Sequence, residues 1–200
     1  GSATDFDEKA WYKTLNKALF MEELICRHGR IMDEFDPEKK IGMIVDEWGT
    51  WFTCEPGTNP GFLYQQNTMR DALVAGITLN IFNRHSDRVK MANLAQIVNV
   101  LQAVILTEGD QMIRTPTYHV FDMYKYHQDA SLVDSSVETE IIGEEEEWKV
   151  PNLTESVSED ADGTLHLTMT NLSLEESFDI DALIVDRSIR EVKGEIVTDE

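Results

Sequence analysis

Ile41-Gly42-Met43-Ile44-Val45-Asp46-Glu47-Trp48-Gly49-Thr50-Trp51 is apolar through Val45 and then turns to two carboxylates and two indoles. A strand that is apolar on both faces is characteristic of a buried parallel sheet. A carboxylate where such a strand ends sits at the mouth of an α/β sheet or barrel, where barrel enzymes carry their chemistry. Carboxylate beside indole suits a sugar cleft, because the acid can react while the ring packs on the C–H face of the sugar. A strand-end Glu that is merely solvated or ion-paired is the alternative that this pattern alone leaves open.

Helical patterns flank this strand. From Glu8 to Met32, Trp11, Leu15, Ala18, Ile25 and Met32 recur at helical spacing, and Asp36-Pro37 ends the run. After the strand comes a breaker-rich loop, Glu55 to Gly61. The pattern from Tyr64 to Phe82 predicts a second helix, and Val89 to Leu94 a second strand. Asn99 to Leu106 reads equally as strand or helix. Thr117 to His127 is a short helix with Pro116 at its start, where proline is favoured. The order helix–strand–helix–strand–helix belongs to a parallel α/β architecture. Two parallel strands cannot close a barrel, so the sequence reads as incomplete on its N-terminal side. Its open edge and apolar face are expected to drive homo-oligomer formation.

Beyond about Gln128 helical periodicity disappears. β-type segments are expected at Leu132 to Glu138, Val157 to Ser158, Leu165 to Thr170 and Asp179 to Val185, with a hairpin turn at Asp162-Gly163. In the third of these, Leu165, Leu167 and Met169 alternate with His166, Thr168 and Thr170, as in a half-buried antiparallel strand. The expected division is therefore an α/β unit over residues 1–127 and an incomplete β-sandwich over residues 128–200.

The chain has 17 Lys and Arg against 38 Asp and Glu, a formal net charge of −21. That balance disfavours nucleic acid, anionic membranes and polyanionic substrates, and leaves room for a neutral ligand such as a neutral sugar. Glu144 to Glu147 supplies part of the excess as a solvated acidic loop. No apolar run is as long as a membrane span. Cys26 and Cys54 suggest neither a disulfide framework nor a metal cluster, and a reduced, cytoplasmic setting is expected. His85 with Asp87, and His119 with His127, match no metal cage by spacing, and no glycine-rich phosphate cradle is present. No metal and no cofactor are expected.

Five ordered blocks, residues 42–51, 55–67, 70–76, 89–102 and 115–121, resemble glycoside hydrolase family 51, the α-L-arabinofuranosidases. The likeness runs over roughly residues 3–130, and the β-rich remainder fits the family's C-terminal domain less sharply. The resemblance implies a retaining glycosidase: the last two βα units of a (β/α)8 barrel, followed by part of a C-terminal β-sandwich. It implies that Glu47 is the nucleophile, at the end of the seventh barrel strand. Gln96 would hydrogen-bond the arabinose ring near the eighth strand, and Trp51 would wall the sugar pocket. Asn93 is a further candidate contact. Without the resemblance, both amides would read as partners of loop backbone and both indoles as core.

The family's acid/base is a Glu that follows an Asn, and no Asn-Glu pair occurs in these 200 residues. The implied reaction is double-displacement removal of terminal non-reducing α-L-arabinofuranosyl residues from arabinose-containing saccharides, with the isolated chain inactive. A glycan-binding or assembly module without catalysis is the competing class. It gives no reason for a carboxylate at the end of an apolar strand beside paired tryptophans.

Overall fold

The computed structural model describes residues 1–198. Helix α1 spans Glu8–Phe35. Asp7 caps it, its carboxylate accepting from Ala10 N at 2.8 Å, and the helix stops at Asp36, before Pro37. Strand β1 (Met43–Trp48) pairs in parallel with β2 (Val89–Leu94), and helix α2 (Met69–Arg84) forms the crossover between them. A parallel pair requires such a crossover. Helix α2 starts five residues later than the sequence pattern suggested, because Thr68 and Asp71 form a capping box there.

Arg88 ties the foot of this unit together. Its Nη1 donates to Asp36 Oδ2 at 2.7 Å and to Ile41 O at 2.9 Å, its Nη2 donates to Asp36 O at 3.0 Å, and it also pairs with Asp33. The end of α1 and the starts of β1 and β2 are thereby fixed to one another.

The ambiguous stretch resolves as a loop followed by a hairpin, β3 (Ile105–Glu108) with β4 (Gln111–Arg114). Helix α3 (Pro116–Tyr124) follows, capped by Thr115. The remainder holds β5 (Ser131–Val133), the short pair β6 (Ile141–Ile142) and β7 (Val150–Pro151), then β8 (Leu153–Glu159) and β9 (Leu165–Asn171). Strands β5, β8 and β9 form one antiparallel sheet, and the β8–β9 hairpin turns through Asp162-Gly163 as expected.

Of Leu132 to Glu138 only Leu132 and Val133 lie in a strand, and two further expectations need correction. Asp179 to Val185 forms no strand; neither edge of the β5–β8–β9 sheet takes it up, and without a paired backbone the segment has nothing to hold it extended. Leu183 and Val185 are exposed.

The second concerns the faces of β9. Thr168 and Thr170 are the buried set, and Leu167 is 51% exposed. The helices explain the inversion. Asn80 of α2 donates to Thr154 Oγ1 at 3.1 Å and accepts at Oδ1 from Ser156 Oγ and Tyr124 OH, each at 2.9 Å. His127 reaches Ser158 Oγ at 2.7 Å and Thr168 Oγ1 at 2.9 Å. A satisfied hydroxyl face can be buried at no net penalty, so the polar side of the hairpin packs on the helices. Close approach is allowed by Gly76, where a Cβ would stand 2.5 Å from Thr170 Oγ1.

The apolar core runs continuously through both halves, from Trp11, Leu15 and Ile25 of α1 through Ala75, Ile77 and Ile81 of α2 to Val150 and Leu172.

Candidate active site

The end of β1 is irregular. Met43, Val45 and Trp48 face the core, and the ladder slips between Val45 and Trp48. That slip leaves Asp46 and Glu47 both exposed between core-facing neighbours. Bulges of this kind re-aim a side chain at the end of a strand. Trp48 points the other way. It is buried, stacked on Phe121 at 6.0 Å and edge-on to Phe82 at 5.6 Å.

Strand β2 ends alongside. Trp48 pairs with Leu94, and Ala95 N donates to Trp48 O at 3.0 Å. Asn93 lies on β2 and Gln96 just past it, both exposed. Ile44 and Met91 are also more than half exposed, so the face of the β1–β2 pair away from the helices is open. The structure thus brings Glu47, Asn93 and Gln96 to the same end of two adjacent parallel strands.

Trp51 is held differently. It is 66% exposed, while both of its neighbours are anchored. Thr50 N donates to Gln102 Oε1 at 2.9 Å, Thr50 Oγ1 donates to Asp71 Oδ1 at 2.5 Å, and Phe52 N donates to Gln65 Oε1 at 2.7 Å. Gln102 Nε2 in turn donates to Asp71 O at 2.7 Å and Thr117 Oγ1 at 3.2 Å, and Thr117 donates to Asn67 Oδ1 at 3.0 Å. All six of these polar residues are buried. A fully satisfied buried network of this kind holds one arrangement, because any break strands a desolvated group. Burial pushes the Asp71 carboxyl above its ordinary value, against the pull of hydrogen bonds from Thr50 and Thr68.

Arg70 adds a second anchor. It is 1% exposed and lies between the rings of Phe6 and Phe52, at 3.8 and 4.1 Å from their centroids. Its Nη2 donates to Ser2 O at 2.9 Å, and Thr53 N donates to Gly1 O at 2.9 Å, so residues 1–6 pack onto the loop that follows Glu47. A cleft of about 760 Å³ separates this loop from α1. Trp48, Trp51, Phe52 and Arg70 line it together with Lys13 and Met21, whereas Glu47, Asn93 and Gln96 lie outside it.

Sequence reasoning singled out Glu47, Trp51, Gln96 and Asn93 but missed the network beneath them. Thr68-x-x-Asp71 is a capping-box spacing, and it signals Asp71's cap role though not its bond to Thr50. Nothing local marks Gln65, Asn67, Gln102 or Thr117, whose partners lie on other elements.

Residues 46–200 match the sequence model of the family described as "Alpha-L-arabinofuranosidase C-terminal domain". An intracellular exo-α-L-arabinofuranosidase of Bacteroides ovatus is 44% identical over 198 residues, which is 99% of this chain and 38% of that protein. An intracellular exo-α-(1→5)-L-arabinofuranosidase of Bacillus subtilis is 33% identical over 92 residues, 42% of this chain and 18% of that protein.

Among solved structures, the GH51 arabinofuranosidase of Xanthomonas axonopodis pv. citri superposes with a TM-score of 0.84 at 52% identity, over 86% of this chain and 35% of that one. The α-L-arabinofuranosidase of Thermotoga maritima, solved as an arabinose complex, gives 0.66 at 26% identity, over 80% and 35%. The chain therefore spans well under half the length of these relatives.

Proposed function

Because the chain belongs to the α-L-arabinofuranosidase family through that family's C-terminal domain, we propose that it is the nucleophile-bearing part of a retaining exo-α-L-arabinofuranosidase. The observation that carries this reading is the bulge at the end of β1, which turns Glu47 outward while Trp48 stays in the core. In the proposed reaction Glu47, ionised, attacks the anomeric carbon of a terminal arabinofuranosyl residue. A second carboxyl group, protonated, releases the leaving group and later activates water. A retaining pair stands about 5–5.5 Å apart. The acid/base is assigned to the portion of the relatives' length that this chain does not span.

Gln96 and Asn93, beside Glu47 on the neighbouring strand end, are proposed to hydrogen-bond the sugar. Trp51 is proposed to stack on it, its position set by the anchored Thr50 and Phe52. The parallel β1–α2–β2 unit is read as the last two strands of a (β/α)8 barrel, within a catalytic unit over residues 1–127. Residues 128–200 are read as part of a β-sandwich whose second sheet would cover Val157 and Leu167. The name of the Bacteroides ovatus relative supports an intracellular setting, and association into homo-oligomers belongs to the same proposal.

The test is Glu47→Gln in the longer protein. The swap keeps volume and removes the nucleophile, so activity on aryl α-L-arabinofuranosides should fall by several orders of magnitude with the circular dichroism unchanged. Near-normal activity would overturn the assignment.

A further inference from the structure

At the far end of α2 from the Asp71 network, three side chains of different chemistry converge. Glu22 and Cys26 are one turn apart on α1, and His85 caps the C-terminus of α2. Glu22 Oε1 lies 2.5 Å from His85 Nε2 and 3.5 Å from Cys26 Sγ, and one ligand atom from each residue falls within 4.8 Å of the other two. Glu22 Oε2 is buried and makes no hydrogen bond among the described residues, with Arg84 Nη2 at 3.7 Å.

We propose that Glu22, Cys26 and His85 form a binding site for a divalent transition metal of the zinc type, one that staples α1 to the end of α2. Carboxylate, thiolate and imidazole are the ligand set zinc accepts, and three protein ligands leave a fourth position for water. Bond lengths of about 2.0–2.3 Å around a tetrahedral ion place ligand atoms roughly 3.3–3.7 Å apart. The sulfur–carboxylate distance already meets this, and the imidazole moves outward by less than a bond length.

Glu22 and a Cys26 thiolate together supply the charge that balances a divalent ion. Burial, then the hydrogen bond to Glu22, pushes the Cys26 thiol up. Binding therefore releases the thiol proton and weakens as pH falls. The site is structural: about 21 Å of helix separates His85 from Asp71 at 1.5 Å per residue.

The experiment is titration of the reduced chain with Co²⁺. The expected result is one ion per chain, a thiolate-to-cobalt charge-transfer band in the near ultraviolet, and visible bands of four-coordinate cobalt that Zn²⁺ bleaches. Cys26→Ser should abolish the charge-transfer band, and Cys54→Ser, at the other thiol, should retain it. His85→Gln should weaken binding at least as much as loss of an outer-shell partner does, roughly 10–100-fold. Zn²⁺ should raise the Tm of the parent chain and of Cys54→Ser, but not of Cys26→Ser or His85→Gln.

The wild-type band and the Cys54→Ser control decide the question even if a ligand variant misfolds. Absence of the charge-transfer band, its loss in Cys54→Ser, or equal affinity in folded Cys26→Ser and His85→Gln would overturn the site. Equal affinity would show that the acidic surface alone takes up the cation.

Discussion

Thr50 Oγ1 donates to Asp71 Oδ1 across 2.5 Å, joining the loop that leaves Glu47 to the first turn of α2. The same carboxylate accepts from Thr68 N at 2.8 Å and so closes the helix cap. One buried side chain thus sets both the start of the helix and the path of the chain carrying Trp51.

Asp71→Ala should cost about 1–3 kcal/mol, since it takes the acceptor from the buried Thr50 hydroxyl and from the partly buried Thr68 N–H. Urea denaturation followed by circular dichroism checks this. An unchanged midpoint would mean that the loop is held by Gln102 and Gln65 alone.

Gly76→Ala improves helix propensity by about 1 kcal/mol, yet the variant should be less stable. The new Cβ would stand 2.5 Å from Thr170 Oγ1, and overpacking of this kind costs about 1–3 kcal/mol. Thermal unfolding of Gly76→Ala and of the relieving double variant Gly76→Ala/Thr170→Ala, which removes the clashing oxygen, measures both effects, with partial recovery expected in the second.

His127 should make stability fall with acid. Burial, and secondarily the charge of His166, lowers its pKa from 6.5 to about 4. Over that window the unfolded chain binds the proton and the folded chain does not. The stabilisation is therefore complete above pH 6.5, declines as pH falls towards 4, and changes no further below it. His127→Gln should flatten the denaturation midpoint over that interval.

The isolated 200-residue chain should show no hydrolysis of aryl α-L-arabinofuranosides, because general acid catalysis alone is worth about 10²–10⁴-fold. In the longer protein, azide should restore part of the turnover of Glu47→Gly on an activated substrate, the anion attacking where the carboxylate stood. That single displacement inverts the anomeric centre, so a glycosyl azide of unchanged anomeric configuration would overturn Glu47 as the nucleophile.

Ile44 and Met91 leave an apolar face open, and β1 pairs with β2 alone among the described residues. The isolated chain should self-associate at micromolar concentration, and Ile44→Lys or Met91→Lys should shift it towards monomer in sedimentation. A monomer at all concentrations would remove the basis for the expected oligomer.

What the sequence determined by itself was local. The apolar run into Asp46-Glu47, the helical spacing of Trp11, Leu15 and Ile25, the proline at the start of α3 and the Asp162-Gly163 turn each act within a few residues. The helices, the parallel pair and the hairpin could therefore be read without coordinates, and so could Glu47 as a strand-end carboxylate.

Tertiary structure decided everything that depends on a distant partner. Leu165, Leu167 and Met169 looked like the inward face of β9 until Asn80, Tyr124 and His127 supplied hydrogen bonds that made the hydroxyl face the buried one. Asp179 to Val185 had strand character but no edge to join. Glu22 and His85, 63 residues apart, meet only because α1 packs beside α2. The physical reason is common to all three. Periodicity reports what a residue type prefers on average, while the satisfaction of a buried polar group depends on which donor or acceptor the fold places within about 3 Å of it.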